Sequence, residues 1–162
     1  MFNGAEIVNV LETLEFTHVV WVPDSTLGPW EHALSGSRRL KLVRVCREGE
    51  AWGVAAGLHL GGKTPLVMIQ CTGLFESGDA MRNVVHDYQL PLYAFIGFRS
   101  YLSQETLPGD TCLRFTRPIL DAWKIDYCFL DEPGKLTLFS EHCLSCRKAE
   151  KAGAVLFAEG RA

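Results

Sequence analysis

No charge of either sign dominates this chain of 162 residues, in which 16 lysines and arginines face 19 aspartates and glutamates for a net charge of −3. A nucleic-acid surface needs a basic excess gathered in one place, so the composition argues against polyanion binding. Apolar runs near the roughly 18 residues that a membrane span requires are also lacking. Met1–Glu6 carries no basic residue, and Ile7–Phe16 is interrupted by Asn9, Glu12 and Glu15, so no secretory leader stands out. The expectation is a cytoplasmic protein that binds neither membrane nor nucleic acid. Internal repeats, linkers and low-complexity tracts are absent too, and a single domain over residues 1–162 is expected, long enough to bury a core without disulfides.

Cysteine is plentiful, with Cys46, Cys71, Cys112, Cys128, Cys143 and Cys146. Without a leader they read as reduced thiols, and Cys46, Cys71 and Cys128, in or beside apolar runs, read as small buried hydrophobes. Cys143 and Cys146 form a lone C-X-X-C after His142. That is half of a structural zinc motif, so no metal ligands are assigned.

What the chain does have is alternation. Apolar spacing at Ile7, Val8, Val10, Leu11 and Leu14 predicts a helix capped by Asn3. Buried strands are predicted at Thr17–Val22, Leu40–Val45, Pro65–Gln70, Leu92–Gly97, Tyr127–Leu130 and Ala154–Phe157. Helices fall between them: one after the turn Pro23–Thr26 to Leu34, then Glu48–Gly61, Glu76–Tyr88, Arg117–Trp123 and Leu136–Lys151. Cys71-Thr72-Gly73 reads as a turn, and Phe98–Leu113 as a long loop of the kind that often carries function. The pattern predicts an α/β fold, a doubly wound, mostly parallel sheet of six strands with helices on both faces.

The stretch Arg47-Glu48-Gly49-Glu50-Ala51-Trp52-Gly53-Val54-Ala55-Ala56-Gly57 organises the rest. It places two carboxylates just past the carboxyl end of a strand, where open α/β sheets bind ligands. Acids in a first helical turn also suit the helix dipole with no further role. Ala55, Ala56 and Gly57 would let this helix approach the sheet, or another chain, closely. Asp24 and Ser25 occupy a strand-to-helix turn where capping is the simplest role.

Three motifs in order carry a family resemblance: Val22-Pro23-Asp24-Ser25, the Glu48–Gly57 run, and Gln70-Cys71-Thr72-Gly73-Leu74. Over residues 3–130 the chain resembles the pyrimidine-binding domain of thiamine diphosphate-dependent decarboxylases. The likeness is nearest to sulfopyruvate decarboxylase alpha subunits and the matching half of phosphonopyruvate decarboxylase. The resemblance implies that Glu48 hydrogen-bonds N1′ of the cofactor's aminopyrimidine and so favours the tautomer that removes the thiazolium C2 proton. Counting back from the Gly-X-Ala-Ala-Gly run selects Glu48 over Glu50, which is left to cap the helix or meet a partner chain. It also implies that Gln70, Thr72 and Gly73 lie near the cofactor, and that Asp24 or Ser25 meets a small anionic 2-oxo acid. Arg99 and Arg114 are candidates for the substrate's second anion. Asn83 and His86 read as surface positions.

Two departures bear on the function. Related chains often carry histidines in the loop matching residues 98–113, and this one has none there. The Gly-Asp-Gly motif and later asparagine that hold Mg²⁺ and the diphosphate are also missing: Gly78-Asp79 is followed by Ala80, and no asparagine follows Asn83. The resemblance therefore implies half a cofactor site, completed by a diphosphate-binding beta subunit that carries the Mg²⁺, with contacts between copies of this chain besides. The activity implied is decarboxylation of a 2-oxo acid such as sulfopyruvate to an aldehyde and CO₂. Phosphonopyruvate cleavage, another 2-oxo acid lyase or a silent assembly domain are the alternatives.

Overall fold

The computed structural model describes residues 2–24 and 27–160. The first helix, α1 (Gly4–Thr13), begins as expected: Asn3 Oδ1 accepts from Glu6 N at 2.8 Å, and Glu6 Oε2 accepts from Asn3 N at 2.9 Å. This reciprocal cap satisfies two backbone donors that a helix start otherwise leaves without partners. Strand β1 (His18–Trp21) follows, then a 3₁₀ turn and α2 (Glu31–Gly36), β2 (Lys41–Arg44) and α3 (Glu48–Leu60). Next come β3 (Pro65–Gln70), α4 (Cys71–Glu76), α5 (Gly78–Arg82) and a π-helical turn over Asn83–Asp87. The chain continues with β4 (Tyr93–Phe98), α6 (Thr111–Ala122), β5 (Asp126–Leu130), α7 (Leu136–Lys148) and β6 (Gly153–Ala158).

The six strands pair in the order β2-β1-β3-β4-β6-β5, all parallel, as the alternation predicts. Successive side chains along each strand take opposite faces. Val19, Trp21, Leu66, Met68, Phe95 and Phe157 pack one core with α1, α2 and α7, whereas Val20, Val67, Ile69, Ala94, Ile96 and Leu156 pack another with α3 to α6. Both faces are covered, which is why β1, β3, β4 and β6 are uninterrupted buried runs. β2 departs from the expectation of a buried strand: it is the sheet edge, with Lys41 and Arg44 exposed.

Two further expectations are corrected. Cys71-Thr72-Gly73 is the first turn of α4, which starts directly at the end of β3 with Gln70 as its N-cap residue. The stretch after β4 is shorter and more ordered than a structureless loop. It holds a 3₁₀ turn at Tyr101–Ser103, and α6 begins at Thr111, earlier than predicted, because Asp110 Oδ1 accepts from Cys112 N at 2.9 Å and caps it. Leu102 N donates to Glu159 O at 2.9 Å, tying the stretch to the end of β6.

The chain leaves β1 for β2 on one side and crosses back to β3 on the other. The carboxyl ends of β1 and β3 therefore flank the point where the winding reverses, the crevice in which such sheets bind ligands.

Candidate active site

α3 and α4 both begin at this crevice, and their first turns touch. Glu48 is the first residue of α3, half-buried, and its side chain lies across Gly73 in the opening turn of α4. A β-carbon on Gly73 would fall 2.5 Å from Glu48 Oε1 and 2.7 Å from its Cδ, closer than side-chain carbons approach. Position 73 thus has room for hydrogen only while Glu48 stays where it is.

Neighbouring groups fix α3 in that place. Glu76, at the end of α4, accepts from Arg47 Nη2 at 2.6 Å and from Gly49 N at 3.0 Å. It binds one of the backbone donors that α3 leaves open. These bonds, the Arg47 guanidinium first, hold the Glu76 carboxyl below the usual range. Trp52 Nε1 donates to Ser77 Oγ at 3.1 Å, and Ala51, Trp52 and Ala55 pack the helix onto the sheet. Glu50 turns back along its own chain, its Oε2 accepting from Cys46 N at 3.0 Å. The two carboxylates differ in their contacts: Glu50 binds Cys46 N before the helix start, and Glu48 lies against Gly73.

Gln70 and Thr72 stand beside this pair. Thr72 Oγ1 donates to Gln70 Oε1 at 3.2 Å, and Gln70 Nε2 donates to Glu159 Oε2 at 3.0 Å. Glu159, just past β6 and 1 % exposed, is a residue the sequence reading missed. Its carboxylate occupies the space over Gly97, where a β-carbon would lie 2.5 Å from Glu159 Cδ. The criterion that selected Glu48, a carboxylate beyond the carboxyl end of a strand, applies equally to Glu159.

The remaining candidates are not joined to Glu48 by these contacts. Asp24 Oδ1 accepts from Leu27 N at 2.9 Å, the capping arrangement a strand-to-helix turn favours. Ser25 lies outside the described residues. Arg99, just past β4, sets its Nε 3.3 Å from Asp110 Oδ2 and is half exposed. Bonds from Ser100 Oγ and the Cys112 backbone, with the Arg99 charge, keep the Asp110 carboxyl below its ordinary range. Arg114 is exposed on α6 with its guanidinium 5.2 Å from the Phe115 ring centre. Cys71 and Cys112, at the starts of α4 and α6, are buried thiols whose ionisation burial pushes up. His86, read as a surface residue, is exposed and places Nε2 2.7 Å from Trp123 O, and Asn83 bonds within its own helical turn.

The fold is shared with solved structures that include a thiamin diphosphate-dependent enzyme. The chain superposes on benzoylformate decarboxylase from Polynucleobacter necessarius with a TM-score of 0.73 and 18% identity, over 98% of this chain and 30% of that one. A protein from Mycobacterium smegmatis assigned to the thiamin diphosphate-dependent enzymes gives 0.75 and 15% identity, over 97% and 30%. In sequence the chain is similar to the sulfopyruvate decarboxylase alpha subunit of Methanococcus maripaludis, 28% identical over 67% of this chain and 65% of the relative. It is 26% identical to the phosphonopyruvate decarboxylase of Streptomyces viridochromogenes over 82% of this chain and 34% of the relative. The alpha subunit of Methanocaldococcus jannaschii is 26% identical over 77% and 74%. The chain thus matches about two thirds of one curated relative and one third of another. No family model matches it.

Proposed function

We propose that the chain is the pyrimidine-side subunit of a thiamine diphosphate-dependent 2-oxo acid decarboxylase of the sulfopyruvate decarboxylase kind. The observation that carries the reading is Glu48 resting on Gly73 at the reversal point of the sheet. A glycine there keeps one wall of the crevice thin, and a half-buried carboxyl beside it suits the ring nitrogen of an aminopyrimidine. The residues present fit that half of the cofactor only. In Gly78-Asp79-Ala80, Asp79 lies in the first turn of α5 and pairs with Arg82 at 2.9 Å, which supports placing the diphosphate and Mg²⁺ on a partner beta subunit.

When bound, the cofactor supplies the electron sink that lets a 2-oxo acid lose CO₂. With the cofactor bound, Glu48 would be the side chain placed to hydrogen-bond the pyrimidine N1′. Arg47 and Glu76 keep the start of α3 in position, Gln70 and Thr72 stand at the end of β3, and Asp24 past β1 accepts from Leu27 N. Arg99, one residue past β4 and half exposed, is the candidate cation for a substrate with a second anionic group. Co-expression with a diphosphate-binding beta chain tests the proposal: the purified pair should release CO₂ from sulfopyruvate or phosphonopyruvate in a cofactor-dependent way. A pair that assembles but turns over neither acid points to the silent assembly domain instead. Arg99→Ala and Arg114→Ala should raise KM for the anionic acid, and unchanged values would place the charge on the partner.

A further inference from the structure

The chemistry-bearing side chains that the Glu48 crevice leaves unused gather at the opposite edge of the sheet. Asp126 opens β5, its register partner Gly153 opens β6, and Gly153 pairs in turn with Tyr93 at the start of β4. α7 crosses this edge with His142 and Cys146 four residues apart, on one face of the helix. His142 Nε2 lies 3.3 Å from Asp126 Oδ1 and 3.8 Å from Cys146 Sγ. The three ligand atoms all lie within 4.8 Å of one another. The other ring nitrogen, Nδ1, is 2.6 Å from the Tyr93 hydroxyl. Glycine at 153 admits the thiol, since a β-carbon there would fall 2.5 Å from Cys146 Sγ.

We infer that Asp126, His142 and Cys146 bind one divalent ion of the zinc class, with water in the fourth position. The donor set of carboxylate oxygen, imidazole nitrogen and thiolate sulfur matches what Zn²⁺ takes, and three protein ligands leave the site open. Tetrahedral zinc with bonds of about 2.0–2.3 Å separates its ligand atoms by about 3.3–3.6 Å. The Nε2–Oδ1 distance of 3.3 Å meets that spacing already, and the Nε2–Sγ distance of 3.8 Å nearly does. Sγ is about as far from Nδ1, 3.9 Å, as from Nε2, so a side-chain rotation of Cys146 completes the corner. Asp126, 71% exposed, can follow it. With Nδ1–H donating to Tyr93, Nε2 keeps its lone pair toward the ion, the outer bond that orients metal-binding imidazoles. Cys143, the other half of the C-X-X-C, takes no part: it is fully buried in the core beside Phe139. The ion would clamp α7 to β5, the far edge strand, and the inference is independent of the decarboxylase reading.

Co²⁺ reports on such a site directly, because a thiolate ligand adds an intense near-ultraviolet charge-transfer band and tetrahedral geometry strengthens the visible bands. The full chain, reduced, stripped with chelator and carrying Cys46→Ser to remove a thiol that, contrary to the expectation of burial, is exposed beyond the edge strand β2, is titrated with Co²⁺ and then Zn²⁺. One equivalent of Co²⁺ should bind, with the thiolate band, and one of Zn²⁺ should displace it. Cys146→Ser should abolish the band, and Asp126→Asn, a surface change that leaves the fold intact, should weaken affinity at least tenfold. Cys143→Ala should keep the band, with circular dichroism confirming that each variant folds. Absence of saturable binding, a band that survives Cys146→Ser, or an affinity untouched by Asp126→Asn overturns the proposal.

Discussion

A methyl group at Gly73 cannot coexist with Glu48 in its present position, so Gly73→Ala separates packing from chemistry. The isolated variant should lose about 1–3 kcal/mol of stability, the usual cost of overpacking, whereas Glu48→Gln should stay within about 0.5 kcal/mol of the parent. In the complex with the partner chain, deuterium exchange at C2 of the bound cofactor should slow by about 10²–10⁴-fold in Glu48→Gln, and should slow in Gly73→Ala as well. Glu50→Gln should leave exchange nearly untouched, because Glu50 braces Cys46 N. Normal exchange in Glu48→Gln, or a loss confined to Glu50→Gln, would mean that the wrong carboxylate has been chosen. Glu76 adds a pH dependence of known sign. Its folded pKa lies below the unfolded value, so its stabilising contribution is complete above the unfolded pKa of about 4.3 and disappears as pH falls through the lowered folded value. The stability gap between the parent and Glu76→Gln, measured by urea unfolding, should therefore be full at neutral pH and close in acid. A gap that persists unchanged below the carboxylate range would remove Glu76 from the list of charges that hold α3.

Among the elements, α3 carries the most consequence. Its buried side packs Ala51, Trp52 and Ala55 on the sheet, but Gly53 and Gly57 are exposed, with nothing within 4 Å of a β-carbon built on either. Close packing on the chain's own sheet, one of two reasons for those small residues, does not account for them. Gly53→Ala should raise the stability of the isolated chain by about 0.4–1 kcal/mol, since the helix has room and the unfolded chain loses freedom. If this face meets another subunit, Gly53→Lys should weaken assembly with the beta chain on size-exclusion chromatography while the chain itself folds normally. Unimpaired assembly of Gly53→Lys would place the contact elsewhere. The same elements show what was legible in the sequence. β3 was read to the residue because Pro65–Gln70 is a continuous apolar run with both faces covered. α4 was missed because Cys71-Thr72-Gly73 has the small and polar residues of a turn, and the long-range contact with Glu48 that accounts for a glycine there leaves no local signal. Glu48 was singled out through the family resemblance and the count back from its Gly-X-Ala-Ala-Gly run, whereas the contacts of Glu76 and Glu159 are made with partners 27 and 89 residues away.

For the molecule as a whole, the question is whether half a cofactor site suffices. The structure is one six-stranded sheet with helices on both faces, and no helix of the described residues is long and apolar enough to cross a membrane. Its carboxyl edge presents Glu48, Gln70, Thr72 and Arg99, but no Gly-Asp-Gly followed by an asparagine occurs in the chain. Thiamine diphosphate binds largely through its charged end, and Mg²⁺ without carboxylate and phosphate ligands together has little hold on a protein. The purified chain should therefore fold, show cooperative unfolding, and gain no thermal stability from thiamine diphosphate with Mg²⁺. A ligand that binds only the folded state at a hundred times its Kd stabilises by about 2.7 kcal/mol, so real binding would be visible as a higher Tm. Adding the diphosphate-binding beta chain should bring the Tm rise, the cofactor binding and the CO₂ release together, because one completed site underlies all three. Robust turnover of sulfopyruvate by this chain alone would overturn the shared-site reading. A Tm rise with the partner but no cofactor binding would instead leave a contact without a catalytic centre.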